Sequence, residues 1–317
     1  MECTGTVKLT GPRGLCIAYG SVGLATGVNE SVYSRVTHDC APERHFDHDG
    51  QLVRLAGVNP SCPEGALEGD TGEGASYGSL QSRGWDECFP TVAPSTGEGF
   101  GWKPALRDHG VLWGRPWECW HESDSVVAVF RDEAFRFERT LTLAGNTVTA
   151  AYGLRNTGTT AFGYLYSQHM LLNLEVGETI DVAGIGPILQ GGRLYQGRDV
   201  RWQELQHLNP VRGVDAGIVE KLYAMLTGPA RCTVTGQADA LELAWTSQDM
   251  PAVGLWFAYG GWPSGEAGHQ VAIEPTSAPV DALADGGAAW LEPGRGRRWS
   301  ITATLKTPDE GAERQSR

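Results

Sequence analysis

Along much of this chain the side chains that a core would take recur at every second position, and any fold has to satisfy that period. Phe135, Phe137, Arg139, Leu141 and Leu143 fall in one such row, Val148, Ala150, Tyr152 and Leu154 in a second, and Phe162, Tyr164 and Tyr166 in a third. Side chains of a strand point alternately to opposite faces, so each row reads as a strand with one buried face. The turn residues 144–146 and Asn156-Thr157-Gly158 separate them, which predicts antiparallel hairpins. Further strands are expected at 5–10, 51–57, 124–130, 231–235, 240–246, 252–259, 270–274 and 298–305, the last with Trp299, Ile301, Ala303 and Leu305 on one face. Helical spacing occurs only over 215–226, where Asp215 could cap a turn before Ile218 and Leu222. Many strands with almost no alternating helices predict an all-β fold, a large antiparallel β-sandwich with little helix.

A chain of 317 residues has a soft prior of about two domains, although all-β folds often carry such a length as one. Neither a linker nor an internal repeat divides it, so residues 1–306 read as one domain and the polar stretch 307–317 as a tail. The net charge of −13 would repel a phosphate backbone and an anionic membrane surface, so no nucleic-acid or membrane partner is expected. A homodimer is compatible with the composition. The 43 glycines are about twice the usual ~7%, which implies many turns. Two Gly-rich stretches, 58–82 and 92–104, read as long loops of the kind that carry sites on a rigid sheet. Seven cysteines without CxxC spacing read as reduced thiols. The N-terminal MECTGTVKLTGPRGLC lacks the basic and apolar regions of a secretory signal, and no apolar run reaches 18 residues, so the expected location is cytoplasmic.

Several familiar patterns fail on context. Gly74-Ala75-Ser76-Tyr77-Gly78 fits GxSxG, but it lies in a loop where a nucleophile elbow needs a strand before the serine and a helix after it. No P-loop occurs, and no strand precedes the glycines at 69–78, so no nucleotide cofactor is expected. His38, Asp39, Cys40, His45, Asp47, His48 and Asp49 are ligand-type residues without zinc-type spacing, which reads as a solvated loop and no metal.

Three other segments put polar groups where sheets seldom have them. Asp108-His109-Gly110 opens a stretch closed by Pro116-Trp117; His109 is either a satisfied structural histidine or a ligand group. In Tyr166-Ser167-Gln168-His169-Met170 the imidazole interrupts an aromatic strand and is either buried and hydrogen-bonded or turned into a cleft. Glu274 ends the apolar run Val271-Ala272-Ile273 before Pro275. A carboxylate there needs a partner, and desolvation would raise its pKa toward general-base values.

In this order the three segments resemble the galactose mutarotase-like, or aldose 1-epimerase, superfamily, with its HG…PW segment, strand-end histidine and late Glu-Pro. The segment Arg83-Gly84-Trp85-Asp86-Glu87-Cys88-Phe89-Pro90 is similar to the family's Gly-rich segment ending in Phe-Pro, which lines the sugar cleft. The resemblance implies the family's β-supersandwich, no cofactor, and a sugar or sugar derivative as substrate. It implies His169 as general acid, Glu274 as general base and His109 as a sugar-hydroxyl ligand, with Arg83 and Asp86 at the cleft. Trp85, Trp256 and Trp262 could stack on a pyranose, although a tryptophan in a strand more often serves the core.

Interconverting the anomers of a free sugar needs one base for the C1 hydroxyl and one acid for the ring oxygen, roles that a Glu and a His can fill. Two other readings stay open: a carbohydrate-binding or regulatory protein that keeps the cleft without turnover, and a glycosidase in which Asp86 or Glu87 partners Glu274.

Overall fold

The computed structural model describes residues 7–10, 16–19, 85–112, 118–122, 125–144, 147–172, 174–237, 240–246, 248, 250–262 and 268–306. In chain order the strands are β1 (Val7–Thr10), β2 (Cys16–Tyr19), β3 (Trp85–Cys88), β4 (Ser95–Thr96), β5 (Ala105–Leu106), β6 (Glu118–Glu122), β7 (Ser125–Arg131), β8 (Phe135–Ala144), β9 (Thr147–Asn156) and β10 (Phe162–Tyr164). They continue as β11 (Ser167–Leu172), β12 (Thr179–Gln190), β13 (Arg193–Leu194), β14 (Ile218–Thr235), β15 (Ala240–Trp245), β16 (Ala252–Tyr259), β17 (His269–Thr276), β18 (Ala289–Leu291) and β19 (Gly296–Lys306). Helix among the described residues is confined to four three-residue 3-10 turns. None of the helices there is long and apolar enough to cross a membrane.

One antiparallel sheet dominates, in the order β3-β11-β17-β16-β14-β15-β19-β9-β8-β7-β6, with β12 and β13 branching from β14. This sheet curls back over its own core. Phe89, directly after β3 at one end, packs on Phe135 and Phe137 of β8 near the other end, with ring centroids 4.9 and 6.0 Å apart. All three rings are buried, and the same core takes in Leu255 and Ile273 from the middle of the sheet. The expected all-β architecture with little helix is thus the observed one.

The predicted hairpin of β8 and β9 forms, with Phe135 opposite Asn156 and Ala144 opposite Thr147. The second predicted hairpin does not. The other neighbour of β9 is β19, whereas β10 pairs with β18, and the chain then enters β11 between β3 and β17. Asn156 explains the detour: its buried side-chain amide donates to Thr160 O and Leu291 O, each at 2.8 Å, and its Oδ1 accepts from Gly158 N. The loop is thereby tied to the β18 end of the fold.

The helix expected over 215–226 is a strand. Val214–Ala216 form a 3-10 turn ended by Gly217 at φ 63°, and β14 begins at Ile218. Positions four apart share a face in a strand as well as in a helix, so Ile218 and Leu222 could not tell the two apart. The stretch 92–104, expected to be a long loop, contains β4, which pairs with β5 directly after it. The expected strand 51–57, the loop 58–82, the Gly74–Gly78 match, the His38–Asp49 cluster and the tail lie outside the described residues. Trp299, Ile301 and Ala303 share the buried face as expected.

Candidate functional site

Neighbouring strands carry a row of polar groups on one face. The pairings Ser167↔Thr276 and Met170↔Ile273 set His169 of β11 across from Glu274 of β17. Glu274 pairs with Gly254 of β16, and Gly254 with Tyr223 of β14. Residues directly opposite in a ladder project to the same face, and Lys221, two positions before Tyr223, joins them. Gly254 leaves the middle of this row open: a Cβ there would lie 3.3 Å from Glu274 Oε2 and 3.1 Å from Tyr223 Cε1.

The Glu274 side chain is fully buried. Lys221 Nζ donates to its Oε1, and His169 Nε2 lies 3.5 Å from the same oxygen. Ser167 Oγ donates to Oε2 at 3.1 Å. Asp281, beyond β17, flanks the cluster: the Tyr223 hydroxyl donates to its Oδ1, and Lys221 Nζ is 4.0 Å from that atom. The Asp281 carbonyl accepts from Val92 N and Ala93 N at 2.9 and 2.8 Å, which ties it to the loop after Phe89-Pro90.

That loop also holds His109. Val92 O accepts from His109 N, and Phe89 O accepts from Val111 N, each at 2.6 Å. Between these bonds His109 and Gly110 take φ values of 56° and 74°. Only glycine suits the second position, because a Cβ would come within 1.9 Å of Phe89 O. The His109 ring consequently stands 5.3 Å from the His169 ring, centroid to centroid, with Nδ1 2.9 Å from Asp108 Oδ1.

Charge follows from these contacts. Burial pushes the Glu274 carboxyl up, but the Lys221 ammonium, and after it His169, carry it down to about 2. Burial lowers His169 to about 4 against the pull of Glu274. For Lys221, burial works against the ammonium, yet Glu274 and Asp281 hold it above the ordinary lysine value. At neutral pH the cluster is a carboxylate, a neutral imidazole and an ammonium. Such a set can take a proton, pass it and hold the resulting charge. Among the described residues no group of three or more His, Cys, Asp or Glu is placed to hold a metal ion.

No family model and no curated protein matches the sequence. Solved structures do match. A galactose mutarotase related enzyme from Lactobacillus acidophilus superposes with a TM-score of 0.64 at 14% identity, over 95% of this chain and 98% of the other. The GalM/aldose epimerase homologue from C. elegans gives 0.61 at 13% identity, over 96% and 99%. A galactose mutarotase-like protein from Lactobacillus casei gives 0.60 at 12% identity, over 95% and 100%. The chain has the galactose mutarotase-like fold.

Within this mutarotase-like fold, His169, Glu274 and His109 stand close together. Trp256 is half-buried on the same face, opposite Lys221 and Ala272, with its ring 6.0 Å from Trp262. Asp86 stands across from His169 at a register position of β3, and Arg83 lies outside the described residues. Glu87 is a correction. It points to the other face, fully buried, where Arg139 Nη1 donates to its Oε1 at 2.9 Å and the Tyr166 hydroxyl donates to Oε2. A carboxylate sealed in the core cannot pair with Glu274 across a glycosidic bond. Lys221, Tyr223, Ser167 and Asp281 were not anticipated, the first two because their strand was read as a helix. The buried Cys88 and Cys232 are not joined in disulfides.

A pH dependence of stability follows from His169. The unfolded imidazole titrates near 6.5 and the folded one near 4, so between these values the unfolded chain binds more protons. Stability should therefore be lost as pH falls through that window, by up to roughly 1.4 kcal/mol per pH unit. Glu274 adds a loss of the same sign between about 4.5 and 2. Urea unfolding at pH 7 and pH 4.5 should show a smaller drop for His169→Asn than for the wild type; equal drops would refute the assignment.

Proposed function

We propose that the chain is an aldose 1-epimerase-like enzyme that interconverts the anomers of a sugar or sugar derivative by acid–base ring opening. The observation that carries this reading is the meeting of Glu274 Oε1 and His169 Nε2 at 3.5 Å, beside His109. Glu274, ionised at rest, takes the proton of the C1 hydroxyl. As the C1–O5 bond breaks, the C1–O1 bond becomes a carbonyl and the ring oxygen needs a proton.

His169 is neutral at rest, so it serves as acid by relay. The proton passes from O1 to Glu274, across the short gap to the imidazole, and on to the ring oxygen. A low imidazole pKa suits the last transfer, because it makes the protonated ring a ready donor. Rotation about C1–C2 in the open form and reversal of the same steps close the ring on the other face. His109 holds a sugar hydroxyl, Trp256 contributes to binding, and the family resemblance adds Arg83 and Asp86 as substrate-binding residues. The experiment is NMR exchange spectroscopy of anomers with a panel of aldoses and sugar phosphates. Acceleration above the buffer rate supports the reading, and its absence for every sugar opposes it.

One observation favours the alternative of a sugar-binding protein without turnover. Lys221 already occupies Oε1 of Glu274, which weakens that carboxylate as a base. A sugar-induced rise in melting temperature with no acceleration would favour this second reading.

A further inference from the structure

From the contacts around Glu274 we infer that Lys221 is a positioning residue that keeps this buried carboxylate ionised and makes it pass on a proton rather than retain it. The inference rests on the acid–base reading of the site. Among the described residues, the side chains around the carboxylate come from four places. Ser167 and His169 approach from β11, Lys221 and Tyr223 from β14, and Asp281 from beyond β17, while His109 acts from its loop. Cys88 of β3 bears on Lys221 and Tyr223. From β16, Gly254 contributes no side chain, and a Cβ there would crowd Glu274 Oε2 and Tyr223 Cε1.

Among these groups Lys221 is the one standing cation that touches the carboxylate. Serine supplies a neutral hydrogen bond, and both histidines carry charge only when protonated. A fully buried carboxylate without a cation would take up a proton and hold it. With Lys221 in contact, the protonated form is disfavoured, so a proton taken from a sugar hydroxyl moves on to His169.

Asp281 completes the arrangement. When Glu274 is briefly neutral, the ammonium still faces the Asp281 carboxylate 4.0 Å away, so its charge is not stranded. The same contacts argue against a Schiff-base role, because an ammonium held by two carboxylates is not a nucleophile.

The test compares wild type, Lys221→Met and Lys221→Arg by two readouts. The first is the carbon-13 NMR titration of the Glu274 carboxyl, assigned with Glu274→Gln; the second is the pH profile of anomer exchange. In Lys221→Met the carboxyl titration should move up by about one to three pH units, the usual effect of an opposite charge at this range. The acid limb of the rate profile should move with it, and Lys221→Arg should stay near wild type. Lys221→Gln carries the same test if the methionine variant does not fold. An unmoved titration in a folded variant overturns the inference, whatever the activity. If the titration moves but the wild type exchanges no sugar, Lys221 keeps its hold on Glu274 and the epimerase reading is what fails.

Discussion

Glu274→Gln and His169→Asn should each lower the rate of anomer exchange by ~10² to 10⁴, the usual worth of a positioned proton-transfer group. Both substitutions keep approximate size, so the cleft and its hydrogen-bonding reach remain while the proton carrier is lost. In Glu274→Gln the C1 hydroxyl meets a neutral amide, and the relay has no first acceptor. In His169→Asn the proton reaches Glu274 and finds no imidazole 3.5 Å away to carry it to the ring oxygen. The two groups act in one transfer, so the double variant should lose far less than the product of the single losses. A melting curve is needed beside each rate, because Glu274→Gln leaves the Lys221 ammonium with Asp281 alone. Single variants that keep wild-type rates on an active substrate would remove both residues from the chemistry.

How far the sequence reveals this arrangement depends on the type of signal. Period-two alternation names strands well, because one buried face per strand is a local requirement; the row Val148, Ala150, Tyr152 and Leu154 is the buried face of β9, whose intervening positions are more exposed. Pairing is not local. Nothing in the turn at Asn156 says that β9 continues to β19 rather than to the aromatic run beginning at Phe162. His169 and Glu274 stand out because each puts a titratable group into an apolar strand. Lys221 stands out less: with Glu220 and Lys221 adjacent, its stretch Ile-Val-Glu-Lys-Leu-Tyr reads as a solvated helix face. Gly254 gives no signal of chemistry at all, yet a Cβ there would press on Glu274 Oε2 and Tyr223 Cε1 in the middle of the site. Arg139 was visible as a cation in a row of core residues, but its partner Glu87 lies 52 residues away, and only the curl of the sheet brings them together.

That buried pair supports the largest expected stability effect. Arg139 and Glu87 are fully buried, and Tyr166 adds its hydroxyl to the carboxylate, while Gln168 donates to Tyr152 beside them at 2.6 Å. Burial pushes the Glu87 carboxyl up, and Arg139 is the main force holding it down. Arg139→Met should therefore cost ~3–5 kcal/mol, since breaking such a pair strands a charge in the core. The stranded carboxyl can escape by taking up a proton. Its folded pKa, which burial already holds above the unfolded value near 4.5 in the wild type, would move higher still, so the folded chain would bind more protons over a wider window and more stability would be lost as pH rises. The loss should be smaller at pH 5 than at pH 8. Replacing both partners, as Glu87→Gln with Arg139→Met, should recover much of it, because no buried charge remains. Urea unfolding of the single and double variants at both pH values measures all three expectations. An Arg139→Met protein within about 1 kcal/mol of wild type at pH 8 would mean that the Glu87 charge is accommodated by Tyr166 and its neighbours without the guanidinium.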